Sequence, residues 1–466
     1  MVRAKILANI SVSVGLDQLA RDRDNPLYTL SPKNKLDNNI FLKLTIYDQE
    51  DIENYRTHSQ RHKANSVTVR YPKESDEGDE SFDLHDLCDG VHRLTFEVGS
   101  SAKPCQGALP NSITDLCMTK ANGLEILIDQ FFVSKVISTL PTSTSIQSLT
   151  LPKEYRFTSR FVVPSSLVTL NYESVYDSLQ WLVVSPGQVL NNCTIDIKSI
   201  EDFVWLEKNI WITCVALRQQ VCDIVPNLIP QHVSKVEIEY DNAEIQEGTL
   251  PKMLQALICY NEIFFPKPVL PLSLKHVELK KYPRKLEKDI LPAGIQHLLL
   301  CGFNETLEPD VLPSSLTKLL MYDYDQVLHP FVLPQGITEL NLFRYKQPTF
   351  LSHSLPAALV KLEIQIFQGS FDSLGALDNL RHLAVFAIDD SLSILLANVK
   401  KLKLWTSLGF RSGSLYDTSI EDLYIYSYQR MAIASPTLLP QHLKRLKAIG
   451  FDINKDILPP GCKLAR

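Results

Sequence analysis

Histidines are the side chains here most able to do chemistry as a pair, and two pairs stand at suggestive spacings. His58 and His62 lie four apart, but the text between them is HSQRH, which lacks the Glu of an HExxH zinc helix. His276 and His297 fall in neighbouring copies of one sequence phrase, which would set them about one strand spacing, ~4.8 Å, apart. A zinc site needs a third or fourth ligand, and neither pair brings one. Glu74, Asp76, Glu77, Asp79, Glu80 and Asp83 form an acidic run around Gly78. A calcium loop needs ligands at set positions and a closing Glu; this run reads as a solvated loop. No GxGxxG, GxxxxGK[ST] or GxSxG phrase occurs. Carboxylates are many, but spacing singles out no acid–base pair. No cofactor and no metal are expected, and catalysis has no support in the text.

The bulk numbers narrow the partners. The chain has 466 residues, 45% hydrophobic and 21% charged, with a net charge of −6. That balance argues against broad binding to nucleic acid or to an anionic membrane, which needs a basic surface. Nine cysteines, scattered without CxxC pairs, suit reduced, mostly structural thiols and a cytoplasmic location. The opening text MVRAKILANISVSVGL is too interrupted by Asn9, Ser11 and Ser13 for a convincing signal peptide. No stretch reaches the ~18 apolar residues of a membrane helix. Asn9, Asn192 and Asn304 head glycosylation sequons, which carry no meaning in a cytoplasmic chain.

The elements that would position any site come from a repeat. The phrase LPxx(L/I)xxLxL opens at Ile229, Leu250, Leu270, Leu291, Leu312, Leu333 and Leu355. A near-constant step of about 21 residues means a solenoid, whose units bury their apolar faces by stacking on one another. In the copy from Leu291, Ile295, Leu298 and Leu300 fall at offsets 4, 7 and 9. The L-x-L alternation is a strand with one face buried. About ten residues remain to return the chain, too few for a long helix and two loops. The fold expected is mainly β: one parallel strand per repeat, with irregular or 3₁₀ returns. Tyr282, Phe303, Tyr324, Tyr345 and Phe367 share one register after the strand, which reads as a core layer behind it.

These copies resemble the FNIP repeat, a leucine-rich-repeat-like unit of social amoebae and some giant viruses. The likeness is carried by LPSSLTKLLMYDYDQVL from Leu312, LPQGITELNLFRYKQPT from Leu333 and LLLCGFNETL from Leu298. It is strong over Leu250–Phe371 and partial over Leu377–Phe451. Phe303 and Asn304 come one residue earlier than in the family pattern, which implies a tighter turn. Upstream the phase survives at Leu87, Leu109 and Val163, with degenerate strands near Val184 and Leu206 and an insertion between Leu109 and Leu140. The expected organisation is an N-terminal arm or cap over 1–35, degenerate repeats with insertions over 36–228, and regular repeats over 229–466. Asp48–His62 is expected to form one short helix. The resemblance implies a curved, protein-binding scaffold.

Offsets 6, 8 and 10 should point away from the core. At offset 10, where the family pattern has Gly, stand Tyr260, Tyr322, Phe343, Phe386, Trp405 and Tyr426. Outward aromatics among charges are typical of protein-binding hot spots, though such rings also pack on each other along a sheet. The leading function is a non-enzymatic scaffold for a protein partner. Some proteins resembling this one carry an F-box and serve ubiquitin ligases, but residues 1–35 are short, polar and proline-marked. An enzyme assembled across repeats is the third alternative. The sequence names neither the partner nor the oligomeric state.

Overall fold

Each LPxx(L/I) phrase folds into a turn whose chemistry explains its spelling. The proline carbonyl accepts the N–H three residues on: Ile295 from Pro292 at 3.2 Å, Leu316 from Pro313 at 3.1 Å, Leu274 from Pro271 at 3.1 Å. Proline has no N–H to leave unsatisfied in that turn. Where offset 3 is serine, its hydroxyl reaches back one coil. Ser315 Oγ donates to the Ala293 and Ile295 carbonyls at 2.7 and 2.5 Å, and Ser273 Oγ to those of Lys252 and Leu254 at 2.8 and 2.6 Å. Asn379 plays the same part toward Ala357 at 3.1 Å.

The computed structural model describes every residue except 1–9, 22–25, 71–81, 99–105, 121–128, 141–144, 221–224, 242, 266–268, 389, 406–413, 434–437 and 466. The acidic run, apart from Asp83, and the opening residues through Asn9 lie outside the described residues. The chain divides into two compact units, Met1–Ala216 and Leu217–Arg466.

In the C-terminal unit one short parallel strand follows each phrase, as at His276–Leu279, His297–Leu300, Lys318–Met321 and Lys361–Ile364. Residues of equal offset are partners: His276 with His297, His297 with Lys318, Lys318 with Glu339, Glu339 with Lys361. Ile295, Leu298 and Leu300 are all buried, each contributing about 1.5–3 kcal/mol by leaving water. The rings behind the strands stack. Phe303 and Tyr324 lie 5.9 Å apart at 9°, Tyr324 and Tyr345 6.5 Å at 3°, Tyr345 and Phe367 5.9 Å at 27°. Between Lys235–Ile238 and His382–Val385 the returns hold no described helix. The mainly β solenoid with irregular returns is the observed fold.

The N-terminal unit keeps the parallel strand row but fills several returns with helix. Ile10–Ser13 pairs with Ile40–Ile46, which pairs with Ser66–Arg70 and so to Arg93–Val98 and Asp115–Lys120. The ladder therefore begins ahead of Leu36. Between its first two strands, the helices Leu16–Arg21, Pro26–Thr29 and Pro32–Asp37 are each six residues or fewer. Asp48 caps the helix Gln49–Thr57 by accepting the Asp51 N–H at 2.9 Å. That helix is shorter than expected, and a 3₁₀ turn at Arg61–Lys63 follows, so His58 and His62 fall on different elements. The insertion after Leu109 contains the helix Gln130–Ser138, whose first amides are accepted by Asp129. Near Val184 the two-residue strand Leu182–Val183 pairs with Phe161–Val162, and the main ladder continues through Leu190–Asp196 and Ile212–Leu217. Leu206 itself lies in the helix Ile200–Lys208, started where Asp202 accepts the Lys198 and Ser199 amides at 2.7 and 3.1 Å.

Candidate functional site

The strands present one buried and one open face, and the open face of the C-terminal unit is the candidate site. Lys235–Ile238, His276–Leu279, Lys318–Met321 and Lys361–Ile364 all alternate half-buried with buried residues. Offsets 6 and 8 thus form continuous files on the open side. The file at offset 8 is less uniformly exposed than expected. Leu299 is 8%, Asn341 9% and Ala384 2% accessible. A short side chain between taller neighbours one strand spacing away is shaded by them.

The aromatics divide by position. Tyr260 is exposed, at 39%, and its hydroxyl donates to Glu237 Oε2 at 3.4 Å. Tyr322, Phe343, Phe386, Trp405 and Tyr426 are half-buried. Trp405 and Tyr426 are direct register partners. Two further tyrosines join them. Tyr424, at offset 8, lies 6.2 Å from Trp405 and carries Lys447 Nζ 5.9 Å over its ring. Tyr428, 85% exposed, meets Tyr426 edge-on at 4.9 Å. Tyr428 escapes the repeat arithmetic because the strand Asp422–Ile433 runs to 12 residues and slips register between Tyr426 and Met431.

The histidine pair is engaged locally. The His276 and His297 rings meet edge-on at 5.7 Å, and His276 Nε2 lies 2.8 Å from Glu278 Oε1. Among the described residues no group of three or more His, Cys, Asp or Glu is placed to hold a metal ion. The hydrogen bond with His276 pulls the Glu278 carboxyl down to about 2; Lys280, at 2.5 Å, acts the same way against the opposing cost of burial. Glu278 stays charged in the folded chain where the unfolded chain has already taken up a proton. Its contribution to stability is therefore complete above about pH 4.5 and lost as the pH falls toward 2. In Glu278→Gln, the deficit in urea midpoint relative to the parent chain should be largest near pH 6 and vanish near pH 2. A deficit independent of pH would exclude this linkage.

The N-terminal unit has a larger hollow, about 620 Å³, lined by residues including Asp17, Lys43, Asp51 and His58. Two of its polar groups serve the backbone. Asp51 Oδ2 accepts the Tyr47 N–H at 2.8 Å and His58 Nδ1 that of Gln60 at 3.2 Å. The described cysteines are all free thiols. Cys193 and Cys259, buried in strands, have their thiols pushed well up by burial, which suppresses the reactive thiolate. No described helix is long and apolar enough to cross a membrane.

Comparison with known proteins bears on the repeat. The FNIP repeat model matches residues 282–323 and 303–345, inside the stretch where the strands are most regular. No curated protein matches the chain. Among solved structures, CroV588, described as a novel circular LRR protein, is similar at 18% identity with a TM-score of 0.44. The match covers 89% of this chain and 61% of that one. A chain of the TLR13–ssRNA13 complex is similar at 14% identity and a TM-score of 0.41, covering 91% of this chain and 73% of that one.

Proposed function

We propose that this solenoid, which carries FNIP repeats over residues 282–345, is a non-enzymatic scaffold that holds a protein partner on its open strand face. The supporting observation is the file of Tyr260, Tyr322, Phe343, Phe386, Trp405 and Tyr426 at one register, exposed or half-buried beside charged residues. Rings in that setting lose the rest of their hydration when a partner covers them, the usual situation of interface hot spots. Core rings of this chain are instead fully covered, as Phe303 and Tyr324 are.

Phe343→Ala combined with Trp405→Ala tests the role. Affinity purification of the tagged full chain from its own cells should recover a partner that the double variant loses. The melting temperature should move by no more than roughly 2 °C, as for surface changes away from the core. A fall of several degrees with the partner retained would assign the rings to packing.

A further inference from the structure

Two shallow hollows lie side by side on the open face of the C-terminal unit. One, about 50 Å³, lies over Asn341, and the other, about 230 Å³, over Ala384; Lys361 and Glu363 border both. Their origin is the file at offset 8. Neighbouring coils carry Glu363 and Lys403 there, and the methyl of Ala384 leaves a gap between them.

The charge around the larger hollow is unbalanced. Lys361 is matched by Glu363 at 3.1 Å. Lys401 has a weak claim on Asp422 at 3.9 Å, because Arg445 grips that carboxylate with two bonds of 2.7 Å. Lys403 is exposed and has no ion-pair partner among the described residues. His382, on the same rim, has its pKa lowered by burial and by Lys401 and Lys361, as expected beside excess positive charge. This strip is basic in a chain of net charge −6. Phe386 and Trp405 stand two positions along their strands from Ala384 and Lys403, which is ~6.8 Å. In the smaller hollow, Asn341 Nδ2 donates to Glu363 Oε2 at 2.6 Å, while Asn341 Oδ1 is buried and accepts no hydrogen bond from the described residues.

We infer that this strip takes an extended acidic peptide segment of the partner, with a carboxylate over Ala384 between Lys401 and Lys403 and an apolar side chain against Phe386 and Trp405. The inference rests on the scaffold reading and gives its site a chemical class. Side chains i and i+2 of an extended peptide are ~6.8 Å apart on one side, matching the step from hollow to rings. Glu339, Glu363 and Asp422 along the strip oppose a ligand with a charge on every unit and tolerate one with spaced carboxylates.

The probe is a fluorescein-labelled 12-residue peptide repeating Glu-Ser-Leu-Ser, read by anisotropy against the full chain. It should bind saturably and weaken with salt, and the same peptide with Gln for Glu should not bind. Lys403→Glu, at an exposed position, should leave thermal unfolding unchanged and weaken binding by roughly tenfold. Lys288→Glu, in an exposed part of a return, should stay within about twofold, since rim charges act locally. No saturable binding of the Glu peptide, or equal affinity in Lys403→Glu, overturns the inference. So does a 12-nucleotide oligouridine that binds more tightly than the peptide. The Phe343/Trp405 purification reads the scaffold role separately: a partner captured there alongside an unbound Glu peptide removes the acidic segment and leaves the scaffold.

Discussion

Phe350→Ala is expected to destabilise the C-terminal unit by about 4 kcal/mol, the usual cost of emptying a buried phenylalanine site. Phe350 is wholly buried. Its ring stacks on Tyr345 at 4.8 Å, meets Phe367 at 4.9 Å and lies 6.0 Å from Phe371. It therefore joins successive coils, and the rings around it are themselves stacked and have little room to collapse into the void. Urea unfolding followed by tyrosine and tryptophan fluorescence should show the loss. Because each coil contacts mainly its neighbours, amide exchange should rise first in Glu339–Asn341 and Lys361–Ile364. Phe350→Leu keeps most of the volume and should cost less than about 1.5 kcal/mol. An Ala variant with the parent's urea midpoint would mean that the ring column does not hold the coils together.

Asn65→Leu should weaken the N-terminal unit by about 3 kcal/mol through two orphaned backbone groups. Asn65 is 1% accessible. Its Oδ1 accepts the Leu42 N–H and its Nδ2 donates to the Ile40 carbonyl, both at 2.8 Å. Leucine keeps the branched outline, with methyl groups bulkier than the amide, and can satisfy neither group; exchange at Leu42 separates the lost hydrogen bonds from packing strain. Amide exchange at Leu42 should accelerate well beyond that of Leu116, in a strand distant in the same ladder. Equal protection at both residues would refute the assignment.

What the sequence made legible was whatever repeats. The L-x-L alternation placed His297–Leu300 and Lys318–Met321, and the constant offset placed Phe303, Tyr324 and Tyr345 in the core. Phe350 was missed because the repeat from Leu333 to Leu355 has one extra residue, which moves the ring from offset 16 to 17. The serine at offset 3 was visible in LPSSL yet unread, since its partners are carbonyls one coil away and carbonyls leave no mark in a sequence. Leu206 kept the phase but lies in a helix, because the Asp202 carboxylate caps a helix start that the leucine spacing does not register. On the open face the sequence placed the aromatic file. It did not show the shading of Leu299, Asn341 and Ala384, which depends on the height of the neighbouring side chains.

The serine bonds from Ser273 and Ser315 to the preceding coil have a consequence for the gene. Their acceptors are backbone carbonyls at fixed offsets of the preceding copy, which every coil presents, so duplication or deletion of a coil leaves each serine the same acceptors. Recombination in steps of 21 or 22 codons can lengthen or shorten the array without disturbing the junctions. A slip of one codon inside a strand turns its leucines to the wrong side. The fold therefore admits change of two kinds: whole coils can alter in number and the open files can alter in identity, while each LPxx(L/I) turn keeps its proline.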